Sequence, residues 1–219
     1  MSATTAHPQT LAPPGAWDAH CHIFGPPSEF PYSETRTFTP EPASKAAMFA
    51  MHAALGLERA VIVQSGVHGF DNSAVADALR AKNGAYRGVA LLPTDVGDSE
   101  IQSLSAAGFC GVRFNFMKHL GEASPISDIM RLAHRLADHN WHLQIHFDPS
   151  LLADMIPALR ASPVPVVIDH MGRIDAGLGA GQPHFKQLLG LMEDQRFWMK
   201  LSGSERISRL GPPYRDAIP

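Results

Sequence analysis

The chain has 219 residues, of which 45% are hydrophobic, which is enough for one sizeable core. Its formal net charge of -3 and its lack of a basic stripe argue against nucleic-acid binding. No apolar stretch is long enough to cross a bilayer, and residues 1–16 lack the basic and apolar regions of a signal peptide, so we expect no membrane partner. We predict a flexible leader over residues 1–15 and one domain over residues 16–219.

Short apolar runs alternate with helical patterns along the whole of this domain. The predicted strands cover residues 16–24, 59–64, 88–92, 110–116, 143–147, 164–169 and 197–201. The predicted helices cover residues 43–55, 71–82, 98–107, 126–139, 150–160 and 185–194. Continuous apolar strands joined by helices predict a parallel α/β sheet covered by helices. Because no glycine-rich phosphate motif is present, the pattern favours a (β/α) barrel over a doubly wound sheet.

A complete barrel of this kind has eight strands and typically about 250 residues. The sequence supplies seven strand–helix units. We therefore expect a (β/α)8 TIM barrel that is C-terminally incomplete and lacks strand eight. The two cysteines, Cys21 and Cys110, fall in predicted strands and form no CxxC pair. Buried, reduced thiols are expected there, which fits a reducing cytoplasm.

The first strand carries Asp18, His20 and His22, which are spaced two residues apart. Strand side chains alternate in direction, so these three are expected on one side. Two imidazoles projecting together could bind a zinc-like metal, or could act as a base and an electrophile without one. The alternative is a surface strand that happens to carry histidines.

Polar residues also follow five of the other six predicted strands. In barrels of this type, the C-terminal ends of the strands surround the active site. Buried charges are costly unless they are paired or functional, so these residues are candidates for chemistry. They are Gln64, Ser65 and His68; Arg113, Asn115, Lys118 and His119; His146 and Asp148; Asp169, His170 and Arg173; and Lys200, Ser202 and Arg206.

Structural alternatives remain open for several of these candidates. His146 could be a hydrogen-bonded core histidine, Arg113 could neutralise an acidic neighbour, and Asp169 could cap a helix. Asp148 is expected to begin a helix as well as to end a strand. Five further histidines lie on helices or at their ends, and we expect all of them at the surface: His52, His134, His139, His142 and His184.

Hydrolysis is the chemistry that fits these candidates. Histidines on strands one, five and six can hold one divalent cation or polarise a carbonyl directly, so that water attacks an ester or amide carbon. A carboxylate is still needed to accept the proton of that water. Arg113, Arg173 and Arg206 indicate an anionic substrate, because guanidinium groups bind carboxylates through two parallel hydrogen bonds.

Taken together, the motifs D-x-H-x-H at 18–22, GVRFN at 111–115, QIH at 144–146, IDHMGR at 168–173 and KLSG at 200–203 resemble those of the amidohydrolase-related (amidohydrolase 2) family. Within that family, the sequence is similar to 2-pyrone-4,6-dicarboxylate lactonases. The resemblance implies a TIM-barrel hydrolase that opens a small carboxylate-bearing lactone during the breakdown of aromatic compounds.

The resemblance also implies roles for individual residues. His20, His22 and His170 would be catalytic and polarise the lactone carbonyl, with no cofactor required. In metal-dependent relatives, the positions of His20, His22, His146 and His170 ligate one zinc or manganese ion. Substrate contacts would come from Ser65, Arg113, His119, His146, Arg173 and Arg206.

Two features depart from the lactonase pattern. His119 stands where these lactonases carry a second arginine, which places recognition of a second carboxylate in doubt. The family's general base is an aspartate after strand eight, so the chain as written is expected to be inactive or impaired. The competing functions are a metal-dependent hydrolase or decarboxylase of another organic acid, and a non-catalytic truncated barrel. The sequence does not specify an oligomeric state.

Overall fold

The computed structural model describes residues 11–120 and 123–217. The first ten residues of the predicted leader lie outside the described residues. Along the described chain, parallel strands alternate with helices. The strands are β1 (Trp17–Cys21), β2 (Arg59–Val63), β3 (Tyr86–Ala90), β4 (Phe109–Phe116), β5 (His142–Phe147), β6 (Val166–Ile168) and β7 (Phe197–Met199). The helices are α1 (Lys45–Leu55), α2 (Ser73–Ala81), α3 (Asp98–Ala106), α4 (Ile126–Ala137), α5 (Leu152–Arg160), α6 (Pro183–Met192) and α7 (Ser204–Ile207).

The described residues form two compact units. The first unit contains residues 11–91 and 104–109, and the second contains residues 92–103 and 110–217. The expectation that residues 16–219 form one domain stays a prediction.

In the first unit, β1 pairs with β2 and β2 pairs with β3, all in parallel. The middle strand β2 is apolar, and Ile62 and Val63 are fully buried. The register of β1 against β2 shifts between Asp18 and Cys21, which is the only irregularity recorded in the two pairings of this unit. The shifted stretch contains His20 and ends directly before His22.

In the second unit, β4, β5, β6 and β7 pair in that order and in parallel. Leu143 and Ile145 on β5 are fully buried beneath the helices, as a strand packed on both faces requires. Helix α4 buries Ile129, Leu132 and Leu136, which lie on one face because they are three or four residues apart. The alternate residues of β4 and β5, between these apolar positions, supply the polar groups of the candidate site.

The predicted strands and the six longer helices are confirmed, with shifts of a few residues at their ends. The first strand shows the largest difference, since it ends at Cys21 instead of residue 24 and so leaves His22 just outside it. The sixth strand is only Val166–Ile168 instead of residues 164–169. Pro163 and Pro165 precede its start, and proline cannot donate a hydrogen bond to a neighbouring strand. Both cysteines are reduced thiols as predicted, but they are half-buried instead of buried. Among the described residues, no helix combines the length and hydrophobicity needed to cross a membrane.

Candidate active site

His20, near the end of β1, and His22, just after it, contact each other through their ring nitrogens. His20 Nε2 lies 3.2 Å from His22 Nε2, and the two rings meet edge to face. His22 Nδ1 lies 2.7 Å from the carbonyl oxygen of Val63, which can only accept, so Nδ1 carries a proton. When His22 has one ring proton, its Nε2 is therefore an acceptor, and His20 must donate from Nε2. The spacing on β1 thus predicted this pair correctly.

Asp18, two residues before His20, accepts a hydrogen bond from His52, a buried histidine that we predicted at the surface. His52 is fully buried on α1, and its Nε2 donates to Asp18 Oδ2 at 3.0 Å. Its Nδ1 lies 2.7 Å from the hydroxyl of Tyr86. The prediction that His52 is a surface residue is wrong, because two polar partners on other elements satisfy both of its ring nitrogens.

The polar residues after β2 have structural contacts in the first unit. Ser65 is buried, and its hydroxyl accepts from the backbone nitrogen of Val67 at 3.3 Å, which caps a short 3-10 turn. His68 Nδ1 lies 3.2 Å from the carbonyl of Pro31, and its Nε2 accepts from the backbone nitrogen of Gly25 at 3.4 Å. His68 therefore holds the loop that follows β1, and the proposed substrate contact of Ser65 stays a prediction.

In the second unit, the register of β4 and β5 places the predicted polar residues side by side. Arg113 is paired with Gln144, and Asn115 with His146. Because strand side chains alternate, all four lie on one side of these two strands. His146 Nδ1 lies 3.1 Å from Asn115 Oδ1, so it donates its proton to this acceptor.

A fully buried carboxylate lies next to this row. Asp169 Oδ2 accepts from Arg113 Nε at 2.8 Å and from Gln144 Nε2 at 3.0 Å. Lys200 Nζ lies 3.5 Å from Asp169 Oδ1 and donates to Gln144 Oε1 at 2.8 Å. Both cationic side chains are at most 10% exposed. One buried carboxylate therefore contacts two buried cations, Arg113 and Lys200. Asp169 does not cap a helix through its side chain.

His146 is held in its neutral form. Burial is the main reason that its pKa falls to about 3, and the nearby guanidinium of Arg113 lowers it further. Since Nδ1 donates to Asn115, Nε2 carries the lone pair, and this buried atom has no hydrogen-bond partner among the described residues. A buried acceptor without a partner indicates a site for a ligand donor or a metal ion.

The chain turns sharply after β6 in a left-handed conformation. His170, Met171, Gly172 and Arg173 have φ angles between 50° and 61°. Three of these residues are not glycine, and each costs about 1–2 kcal/mol in this conformation. Backbone hydrogen bonds hold the turn, among them Met171 N to Lys200 O at 3.0 Å. Strain of this kind persists where a defined geometry is needed.

The turn directs two predicted site residues. The His170 ring lies 5.4 Å from that of His146, and its Nδ1 is 3.0 Å from Ser202 Oγ. Gly203, at a φ of 74°, allows His170 and Arg206 to approach, since a Cβ there would lie 3.1 Å from His170 Nδ1 and 3.0 Å from Arg206 Cδ. The second unit therefore brings together His146, His170 and Arg206 as predicted.

Arg173 and Arg206 repel each other. Partial burial is the first cause of the lowered pKa of Arg173, and the like charge of Arg206 is the second. Each of two neighbouring guanidinium groups makes the positive charge of the other less favourable. An anion that binds both groups stabilises both charges. The cationic character that the sequence predicted is therefore concentrated in the second unit.

The remaining candidates have more ordinary surroundings. His119 is exposed in a 3-10 turn over Lys118–Leu120, and the structure does not test its predicted role. Asp148 caps the next 3-10 turn by accepting from the backbone nitrogen of Ser150 at 3.0 Å, as expected. His142 belongs to β5 and not to a helix end, and burial lowers its pKa to about 4, so the expectation that it is a surface residue is wrong.

Two residues complete the Asp169 network: Gln144, which was not among the strand-end candidates, and Lys200, which was. Gln144 precedes His146 by two residues on β5, so alternation alone places both on the same side. Lys200 follows β7 directly, at a strand end like the other candidates. The strand-end positions of Gln144 and Lys200 can be read from the sequence, but their contacts with Asp169 and with each other require the structure.

The fold and these polar strand ends define a barrel hydrolase, and comparison with known proteins identifies its family. The amidohydrolase family model matches residues 17–219, so the chain belongs to that family. The chain is 42% identical to a 2-pyrone-4,6-dicarboxylate hydrolase of Comamonas testosteroni, a match that covers 99% of this chain and 74% of the relative. It is 36% identical to a 4-sulfomuconolactone hydrolase of Hydrogenophaga intermedia, covering 95% and 69%.

A crystal structure of a probable 2-pyrone-4,6-dicarboxylic acid hydrolase from Acinetobacter baumannii, with citric acid bound, is also similar. It superposes with a TM-score of 0.81 at 26% identity and covers 92% of this chain and 75% of that one. The prediction of a (β/α) barrel fold with seven strand–helix units is thereby confirmed. The expectation that the chain lacks strand eight and its aspartate stays a prediction.

The depressed pKa of His146 predicts a stability that falls as the pH falls. Unfolded histidine binds a proton below about pH 6.5, while folded His146 does so only near pH 3. The unfolded state therefore holds more protons in this window, and His146 should account for a loss of about 2 kcal/mol on going to pH 5. Urea denaturation of the natural protein and of His146→Gln at pH 7, 6 and 5 measures this difference.

The matched control is His134→Gln, which removes an exposed histidine on α4. We expect this control to keep the wild-type pH dependence, whereas His146→Gln should show a shallower one. Equal slopes in all three proteins would contradict the assignment of a neutral, buried His146.

Proposed function

We propose that this protein is a hydrolase that opens a small, carboxylate-bearing lactone during the breakdown of aromatic compounds. The observation that carries the proposal is the cluster of cationic side chains at the strand ends of the second unit. Arg113 and Lys200 both contact one buried carboxylate, and Arg173 is close enough to Arg206 for their like charges to lower the pKa of Arg173, although Arg206 also pairs with Glu205 at 3.1 Å. Such an arrangement is most stable with a substrate that supplies negative charge.

The relatives support the same substrate class. Two of them are named for the hydrolysis of 2-pyrone-4,6-dicarboxylate and 4-sulfomuconolactone, which are both cyclic esters with acidic substituents. The similar crystal structure from Acinetobacter baumannii contains citric acid, a polycarboxylate. We infer that the cationic groups of this chain bind carboxylates of a ring substrate.

In this reaction, water adds to the acyl carbon and the ring C–O bond breaks. The acyl carbon becomes a new carboxylate, the ring oxygen takes a proton and becomes a hydroxyl group of the same ring-opened molecule, and ionisation of the new acid releases one proton. The transition state carries negative charge on the carbonyl oxygen, so hydrogen-bond donors at that oxygen accelerate the reaction. We propose that His20, His22 and His170 are the catalytic histidines. His20 carries an Nε2 proton in the tautomer set by His22 and Val63, and it donates this proton to the carbonyl oxygen by exchanging its contact with His22 for one with the substrate. We assign the carboxylate contacts to Arg113, Arg173 and Arg206, with His119, His146 and Ser65 as further substrate contacts.

The low pKa of His146 limits what this residue can do. An imidazole with a pKa of about 3 is a poor general base near pH 7, because efficient bases have a pKa close to the working pH. Its unpartnered Nε2 can still accept a hydrogen bond from a hydroxyl group. We therefore propose that His146 orients substrate or water, and that the proton acceptor is an aspartate following strand eight, as in the lactonases that the sequence resembles.

A metal-dependent hydrolase or decarboxylase of another organic acid is the second candidate. It is supported by His20 and His22, whose Nε2 atoms are 3.2 Å apart while His22 Nδ1 is fixed by a backbone carbonyl, an arrangement typical of metal-binding histidines. The buried lone pair of His146 also fits a ligand. Zinc or manganese held by His20, His22, His146 or His170 would supply Lewis-acid polarisation of the carbonyl.

We also propose that the protein works in the cytoplasm. Cys21 and Cys110 are both reduced thiols, and disulfides are rare in the reducing cytoplasm but common in secreted proteins.

Removing either arginine of the repelling pair should weaken substrate binding. We expect Arg173→Met and Arg206→Met to raise the KM for 2-pyrone-4,6-dicarboxylate by about 10–150-fold, since one charged hydrogen bond contributes about 1.5–3 kcal/mol. Steady-state kinetics of the natural protein and both variants measure this effect. Arg131→Met is the control, because this guanidinium pairs with Asp128 on the exposed face of α4.

An unchanged KM in both variants would contradict the assigned carboxylate contacts. Failure of the natural protein to hydrolyse either 2-pyrone-4,6-dicarboxylate or 4-sulfomuconolactone would contradict the proposed function itself.

Chelation separates the two candidate functions. If the histidines polarise the carbonyl directly, hydrolysis should survive dialysis against EDTA, and elemental analysis should find less than one zinc or manganese per chain. Stoichiometric metal that is lost in His22→Ala, together with activity restored only by added metal, would favour the second candidate.

A further inference from the structure

Strand β1 is irregular between Asp18 and Cys21, a stretch that contains His20 and ends just before His22. Asp18 pairs with Ala60 and Cys21 with Ile62, so β1 advances three residues while β2 advances two. Such a bulge bends a strand and redirects its side chains. Within this bulge, the backbone nitrogen of His20 donates to Asp18 Oδ1 at 2.9 Å. The Asp18 carboxylate therefore fixes the backbone from which the His20 ring projects.

The second oxygen of the same carboxylate is held from outside the strand. Because a carboxylate only accepts, the 3.0 Å contact between His52 Nε2 and Asp18 Oδ2 places a proton on Nε2. When His52 carries one ring proton, Nδ1 is an acceptor, and the Tyr86 hydroxyl donates to it at 2.7 Å. The hydrogen bonds then run in one direction, from Tyr86 through His52 to Asp18.

Burial makes this chain of hydrogen bonds rigid. His52 is fully buried and Tyr86 is 1% exposed, so water does not compete for their polar atoms. Burial, together with the charges of Cys21 and Asp18, raises the pKa of the Tyr86 hydroxyl, which keeps its proton available as a donor. The chain joins α1 and β3 to β1 through three side chains that lie far apart in the sequence.

We propose that His52 is a positioning residue that holds the His20–His22 pair in its working geometry by fixing the Asp18 carboxylate. The kinetic consequence of this inference rests on the proposed lactone hydrolysis, but the geometric consequence does not. An apolar side chain at position 52 would fill the same space without burying two ring nitrogens, so simple core packing does not account for the histidine.

A metal ion is a weaker explanation of the same residues. Ligand atoms of Asp18, Cys21 and His52 lie within 4.8 Å of one another. Both ring nitrogens of His52 are already engaged, however, so a metal would have to displace the proton on Nε2 and break the bond to Asp18.

The test compares His52→Leu with His52→Gln. Leucine removes both hydrogen bonds, while glutamine can still donate to Asp18 and accept from Tyr86. We expect His52→Leu to lower kcat for lactone hydrolysis by about 10–100-fold with little change in KM, which is the range for loss of partners that orient active-site histidines. His52→Gln should recover most of this loss.

A second readout observes the geometry directly. Histidine 15N NMR distinguishes which ring nitrogen carries the proton, and the native structure predicts an Nδ1 proton on His22 and an Nε2 proton on His20. In His52→Leu these two rings should give shifted or mixed-tautomer signals. If the parent protein does not hydrolyse lactones, this readout still decides the positioning role.

Two further variants separate positioning from loss of stability. Leu79→Ala opens the core on α2 away from this chain and should lower the melting temperature without changing kcat or the histidine signals. Tyr86→Phe removes only the hydroxyl and should give an intermediate loss of kcat, which keeps the test decisive if His52→Leu does not fold. A folded His52→Leu with wild-type kcat and tautomers, or a Leu79→Ala variant with the same changes, would overturn the proposal.

Discussion

The electrostatics of the second unit depend on one buried carboxylate. Asp169 is fully buried and stabilises Arg113 and Lys200, which would be costly to bury alone. The carboxylate therefore holds both cations in place at the ends of β6 and β7. This local cluster of cations is what supports our proposal that a chain with a formal net charge of -3 binds an anionic substrate.

The strained turn after β6 follows from the same constraint. The Asp169 backbone must continue from β6 while its side chain reaches Arg113, and the next four residues then turn left-handed. The unfavourable backbone energy is offset by hydrogen bonds to β7 and by the packing of Gly172 against Leu188. The result is a His170 ring whose direction is set by the backbone, with little freedom to reorient before the substrate binds.

The sequence predicted most of the strands and much of the site because alternation and strand ends are local signals. The pairing of His20 with His22 and the row of polar residues on β4 and β5 were expected from residue spacing. The sequence could not show that Arg113 binds Asp169, because the two residues are 56 positions apart. It also misplaced His52, since the burial of a helical histidine depends on partners 34 residues away in either direction, Asp18 and Tyr86.

We propose that this protein recognises the charge of its substrate more than the ring. The most direct measurement is the ratio of kcat/KM for 2-pyrone-4,6-dicarboxylate to that for its dimethyl ester, which keeps the ring and removes both charges. Two lost charged hydrogen bonds predict a preference of about 100-fold or more for the dicarboxylate. Equal hydrolysis of the two compounds would contradict the account.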